Sequence, residues 1–185
     1  MSADDERKLI LLAKEGNIAA FRTLVETHMR QAYNIAYGVV NDHADAEDIA
    51  QESFVRVYQS IKSFRGDAQF STWLYRIVTN VALNRRTKTS ARLKHEMPIH
   101  QAQIAYHGHE EMPEQGDDLQ AHVERAVHRL PTMQRAVVIL RHLNGLSTKQ
   151  VSGILRCSEG TVKTHLHRGL KKMRTLLAYL EADHI

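Results

Sequence analysis

A single cysteine, Cys157, excludes an intramolecular disulfide in this 185-residue chain and suits a reducing compartment. No apolar run reaches the ~20 residues that would cross a bilayer, so no membrane insertion is expected. The opening Met1-Ser-Ala-Asp-Asp-Glu-Arg-Lys8 is charged and acidic first, unlike a secretory signal, which makes the cytoplasm the expected location. Alternating apolar and polar runs of strand length are missing, as are internal repeats. No nucleophile, base and orienting group stand together in a catalytic constellation, so no catalytic residue and no cofactor are expected. Cys157 has no cysteine partner for a metal set. His95, His100, His107 and His109 offer imidazoles without a fixed frame, and no metal is expected there.

Charge is unevenly spread. Residues 1–93 carry 13 basic against 11 acidic side chains, residues 94–118 carry 1 against 6, and residues 119–185 carry 11 against 4. The basic last third fits a phosphate-binding surface, and the acidic middle fits a solvated spacer. Helical spacing of Phe21, Leu24, Val25, Ala32, Ala36 and Val39 predicts one long helix from Asn17 to about Val40. After Asn41-Asp42-His43, with Asp45 as the expected cap, Ile49, Ala50, Phe54, Val57, Tyr58 and Ile61 form the next stripe. A turn at Arg65-Gly66-Asp67 precedes a fourth helix, expected to be capped by Ser71. That helix carries Leu74, Ile77, Val78, Val81 and Ala82 inward and Arg85, Arg86 and Lys88 near its end. Periodicity fails from 90 to 118, where Pro98 and Pro113 fall, and resumes at Leu119. The expected fold is all-α with two helical domains: a four-helix domain over 1–93, a linker over 94–118, and a helix-turn-helix domain over 119–185.

Three segments bear chemistry. Leu146 to Arg168 reads as two short helices broken by a tight turn, with Val151, Ile154, Leu155, Val162, Leu166 and Leu170 as the apolar contacts and Ser158 as the second cap. Glu159, Thr161, Lys163, Thr164, His167 and Arg168 are left facing outward, and such a helix enters the DNA major groove. Asp45 to Tyr58 is an amphipathic helix whose outer face holds Asp48, Gln51 and Glu52, either a dock for a basic partner or a solvated face. Ser63 to Arg86 mingles Phe64, Phe70, Trp73 and Tyr75 with Arg65, Arg76, Asn80, Asn84, Arg85 and Arg86. That mixture holds unstacked bases and phosphates, though each aromatic singly also suits a core position at a helix corner.

Phe21, Asp48-Ile-Ala-Gln-Glu52, Phe64-Arg-Gly66, Phe70-Ser-Thr-Trp-Leu-Tyr-Arg-Ile77, Leu130-Pro131, Gly145-Leu-Ser147 and Gly160-Thr-Val-Lys163 resemble the sigma-70 family, in its small extracytoplasmic-function group. The resemblance covers about residues 10–90 and 119–178. It implies a non-enzymatic subunit that binds core RNA polymerase and directs transcription initiation at particular promoters, as in a stress response. Core polymerase, promoter DNA and an anti-sigma factor are the implied partners, the last able to hold the chain at the inner membrane. The resemblance assigns Asp48, Gln51, Glu52, Phe54 and Tyr58 to polymerase docking. It assigns Phe64, Arg65, Phe70, Trp73, Arg76, Asn80, Asn84 and Arg85 to opening and reading the minus-ten element. Ser158, Thr161, Lys163, Thr164, His167 and Arg168 match the minus-thirty-five readers, with His167 standing where the family often has an aromatic or basic residue. Trp73 stands alone where primary sigma factors have an aromatic pair, which implies weaker melting.

Two other classes compete. Ser158-Glu-Gly-Thr-Val-Lys-Thr-His165 is also similar to the recognition helix of response-regulator output domains, but those carry an α/β receiver or a ligand-binding domain. A pure interaction module that only captures an anti-sigma partner would not need the cationic second helix.

Overall fold

The computed structural model describes residues 1–96 and 119–182, and among them all regular structure is helical, as expected. Contacts gather the chain into two compact units, residues 1–82 with 153–156 and residues 83–152 with 157–185. Each end of the chain is taken by itself below.

Helix α1 (Ala3–Lys14) begins in a capping box. The Ser2 hydroxyl accepts from the Asp5 amide at 3.1 Å, and the Asp5 carboxylate accepts from the Ser2 hydroxyl at 2.7 Å. Those bonds to Ser2 hold the Asp5 carboxyl below its usual range. Helix α2 (Ile18–Val40) is capped by Asn17, which accepts from the Ala20 amide at 3.0 Å. Asn41 closes it in the left-handed conformation at φ 61°, which asparagine tolerates because its short amide bonds locally. That turn sets the next cap. Helix α3 (His43–Ser60) starts at Asp42, whose carboxylate accepts from the Asp45 amide at 2.8 Å. The expected cap, Asp45, is therefore the donor in the interaction.

The buried stripe on α2 is Ala20, Leu24, Ala32, Ile35, Ala36 and Val39, and on α3 Ala46, Ile49, Ala50, Phe54 and Val57. Leu24, Ile35, Ile49 and Val57 have no accessible surface, so each supplies about 1.5–3 kcal/mol of burial. Phe21 and Val25 are only half-buried, and Tyr58 is 49% exposed.

Helix α4 (Phe70–Glu96) starts one residue before its expected cap. The Trp73 amide donates to the Gln69 carbonyl at 3.2 Å, so Ser71 lies inside the first turn. The helix also runs past Lys88 to Glu96, which leaves Arg85, Arg86 and Lys88 in its middle rather than at its end. Leu74, Val78, Val81 and Ala82 are buried as their spacing predicts, and Ile77 is half-buried. Thr79 is buried as well.

In the second half, α5 (Leu119–His128) leads through Pro131 into α6 (Thr132–Val138), which widens into a π-helical turn over Ile139–Leu143. Buried Arg135 donates to the carbonyls of His128 (Nη2) and Leu130 (Nη2, 3.1 Å), meeting the acceptors that the end of α5 leaves open. Arg141 donates likewise to the Leu146 carbonyl and fixes the turn after Gly145, whose φ of 66° suits glycine.

Helix α7 (Thr148–Leu155) carries its own capping box: the Ser147 hydroxyl accepts from the Gln150 amide at 3.2 Å, and Gln150 Oε1 accepts from the Ser147 amide at 2.8 Å. The last helix, α8 (Glu159–Ala182), passes α6 at buried Gly169. A Cβ added there would lie 3.0 Å from Val138 Cγ2 and 3.5 Å from Gln134 Cβ. Gly169→Val should therefore lower the stability of this half by about 1–3 kcal/mol through overpacking, read as a fall in urea midpoint.

Candidate protein-docking and nucleic-acid surfaces

The first surface lies on α3. One turn of helix separates Asp48 from Gln51 and Glu52, so the three share a face opposite Ile49 and Phe54. Asp48 and Gln51 are exposed, while Glu52 is half-exposed and holds Arg56 at 2.6 Å. Both Arg56 bonds fall on Oε1, so an incoming cation would share that carboxylate with Arg56. Beside Gln51 runs a groove of about 540 Å³ between α2 and α3, lined by Glu26, Met29, Arg30, Tyr33, Glu47 and Ala50 as well. Its α2 wall was not legible from the α3 segment, because helical pairing brings it there. Tyr33, Tyr37 and His43 stack above, with the Tyr33 hydroxyl 2.5 Å from His43 Nδ1. Phe54 does not belong to this surface. At 5% exposure it packs inward, because its position in the stripe points it at the core. Tyr58 stays accessible and meets Phe21 edge-on at 5.0 Å between centroids.

The second surface is the corner between α3 and α4. After a short 3-10 turn over Ile61–Ser63, the loop 65–69 is fully exposed and turns at Gly66, φ 81°. Phe64, Phe70 and Trp73 form one cluster, with centroids 5.8, 5.1 and 5.9 Å apart. Phe64 (8% exposed) and Phe70 (1%) are core residues that pin the corner, so neither presents a face for a base. Burial of their large apolar area outweighs any ligand contact in the free protein. Trp73 is half-buried. From it a stripe runs along α4 through exposed Arg76, half-buried Asn80 and exposed Asn84, at spacings of three, four and four residues. Arg85 lies beside that stripe, half-buried, and Arg65 is exposed in the loop.

Behind the corner, His28 packs on Phe70 with the rings tilted and their centroids 5.3 Å apart, and its Nε2 lies 2.8 Å from Glu6 Oε1, tying α1 and α2 to the start of α4. Burial, and then the nearby Glu6 charge, push the buried Tyr75 hydroxyl above the ordinary tyrosine range.

The third surface is on α8. The Ser158 hydroxyl accepts from the Thr161 amide at 3.0 Å and caps the helix as expected. Val151, Ile154 and Val162 are buried, Leu155 and Leu166 half-buried. Leu170 is 40% exposed and leaves its inward role to Gly169, whose missing side chain lets α6 approach. Ser158, Glu159, Lys163, Thr164, His167 and Arg168 are exposed, and Thr161 is half-exposed. The turn before them is closed by Arg156 at φ 52°, with the Cys157 amide donating to the Ser152 carbonyl at 3.2 Å. Cys157 is a half-buried free thiol within it.

No group of three or more metal-binding side chains occurs among the described residues, and His100, His107 and His109 lie outside them. No helix among the described residues is long and apolar enough to cross a membrane.

Comparison with known proteins agrees with both ends of the chain. Residues 24–92 match the model of sigma-70 region 2, and residues 121–173 match that of sigma-70 region 4. The first half is thus no receiver or ligand-binding domain. The extracytoplasmic-function RNA polymerase sigma factor SigW of Bacillus subtilis is 34% identical over 92% of this chain and 96% of its own length. Among solved structures, the sigma factor RpoE of Bartonella quintana, in complex with the anti-sigma factor NepR, shares the fold at a TM-score of 0.71. It is 21% identical, over 87% of this chain and 98% of that one. CnrH, solved with the cytosolic domain of CnrY, has a TM-score of 0.68 at 25% identity, over 95% of this chain and 98% of that one. The chain belongs to the sigma-70 family of RNA polymerase sigma factors, in its extracytoplasmic-function group.

Proposed function

We propose that this alternative sigma factor docks on core RNA polymerase through the α3 face of Asp48, Gln51 and Glu52, with Tyr58 at its end, and so directs promoter-specific initiation. Residues 1–93 and 119–185 act as its two working domains, with 94–118 as the connector. The loop 65–69 and the α4 stripe of Trp73, Arg76, Asn80 and Asn84, with Arg85 beside it, open and read the downstream promoter element. Ser158, Thr161, Lys163, Thr164, His167 and Arg168 read the upstream one. The chain works in the cytoplasm, performs no catalytic step of its own, and is silenced by an anti-sigma factor, as the NepR partner of RpoE suggests.

The observation that carries this reading is a separation of chemistries. An acidic and amide face on α3, a stripe of cations and amides on α4 and a cationic face on α8 are all accessible, each on its own rigid helix. Run-off transcription with core enzyme on a genomic fragment library tests it, and absence of promoter-specific transcripts would refute it. Asp48→Arg should weaken core binding at least tenfold in a titration, because a reversed charge repels a basic partner. Helicity should not change, since exposed substitutions alter stability by less than ~0.5 kcal/mol. Unchanged core affinity would remove the docking assignment.

A further inference from the structure

The cationic face of α8 does not end with its base-reading turns. Lys163, His167, Lys171 and Arg174 are all exposed, and at ~100° per residue they fall within about 80° of arc. Arg168 and Lys172 flank them and are exposed too. Two exposed arginines elsewhere have a carboxylate one turn away, Arg22 with Glu26 at 2.9 Å and Arg56 with Glu52 at 2.6 Å. From Gly160 to Leu180 there is no acidic residue at all. Arg168 with Lys171 and Lys172, and Lys171 with Arg174, are instead like-charged neighbours at three- and four-residue spacing, which weakens a helix. A merely solvated helix face has no reason to keep that repulsion. A polyanion removes it.

We propose that Lys171 and Arg174 form a phosphate clamp on duplex DNA, beyond the residues that read base edges. The inference rests on the reading of α8 as the helix that enters the major groove. Lys163 and Arg174 are 11 residues apart, about 16 Å along the axis, while the groove is about 12 Å wide. With the first turns of α8 seated among base edges, Lys171 and Arg174 therefore reach the groove's rim, where the sugar-phosphate backbone runs. Their position on the same stripe as Lys163 and His167 favours DNA over an acidic protein segment. Such contacts are indifferent to sequence: they hold the helix at the duplex and set its register.

The test uses the full chain and a fluorescent mixed-sequence 30-base-pair duplex, with affinity measured from 50 to 200 mM salt. Each phosphate contact contributes about 0.9 to the slope of log affinity against log salt. Lys171→Gln with Arg174→Gln should lower that slope by about 1.8, so over this range wild type loses about 12-fold more affinity than the variant. Lys171→Arg with Arg174→Lys should keep the wild-type slope, and circular dichroism should show equal helicity in all three. An unchanged slope, or no binding of wild type at 50 mM salt, would overturn the clamp. So would an unchanged slope accompanied by lost binding to a polyglutamate probe, which would point to an acidic protein instead. Because the duplex carries no promoter, the result is separable from promoter reading. A lowered slope in a chain that fails run-off transcription leaves the clamp standing and the sigma-factor reading refuted.

Discussion

Between pH 6.5 and 4 the second half of the molecule should lose about 3 kcal/mol of stability through one side chain, His128. Burial, and then the buried Arg135 guanidinium beside it, lower the His128 imidazole from 6.5 to about 4. The unfolded chain binds the proton at the ordinary value, so in this window it holds more protons than the folded one. Stability is therefore complete above pH 6.5, falls as pH falls, and levels off near pH 4. Small domains have only a few kcal/mol in hand, so that loss should expose α5–α8 to unfolding. The single tryptophan, Trp73, reports the first half by fluorescence, and hydrogen exchange of the α5–α8 amides reports the second. His128→Leu should remove this part of the pH dependence. An imidazole resonance of His128 titrating near 6.5, with equal pH profiles in wild type and variant, would dispose of the idea.

His128 and Arg135 also mark where reading the sequence ends. Periodicity identifies Leu24, Ile49, Leu74 and Val162 as core because apolar side chains recur at helical spacing, and all four are buried. A charged residue at such a spacing is read as surface, yet Arg135 is buried because the end of α5 offers it carbonyls. Only tertiary structure brings those acceptors within reach. Caps fail for a more local reason. Asp42 and Asp45 have the same capping chemistry, and the choice between them is made by the left-handed Asn41. Among the site residues, the spacing of Asp48, Gln51 and Glu52 places them outward correctly, whereas Phe54, Phe64 and Phe70 turn inward. Composition alone leaves an aromatic at a corner free to be either core or platform. Gly169 carried no signal at all, since a glycine inside a helix is not distinguishable by pattern from one that lets a neighbour approach.

Replacing both Asn80 and Asn84 by alanine should slow open-complex formation at least about 30-fold while leaving core binding intact, because each amide that reads an extruded base is worth about 1–3 kcal/mol and the pair therefore at least about 2 kcal/mol. Asn84 is exposed and Asn80 half-buried on the outward stripe of α4, so neither change empties the core. A glycine-serine replacement of residues 65–69 should act in the same direction. That loop buries no side chain, and Phe64 and Phe70 on either side of it keep the corner folded. A base can leave the stack only if pocket contacts recover the cost of unstacking, a few kcal/mol. With Phe64 and Phe70 turned inward, those contacts fall to Trp73, the amides and the loop backbone, a small set that tolerates little loss. Templates with a bubble already open at the downstream element should restore most of the transcript yield, since the unstacking is then done beforehand. Permanganate reactivity of promoter thymines, read beside transcript yield on duplex and bubble templates, decides the matter. Normal melting of duplex promoter by these variants would reduce the corner to a folded helix junction, and an equal defect on bubble templates would move the role of the two asparagines to a step after melting.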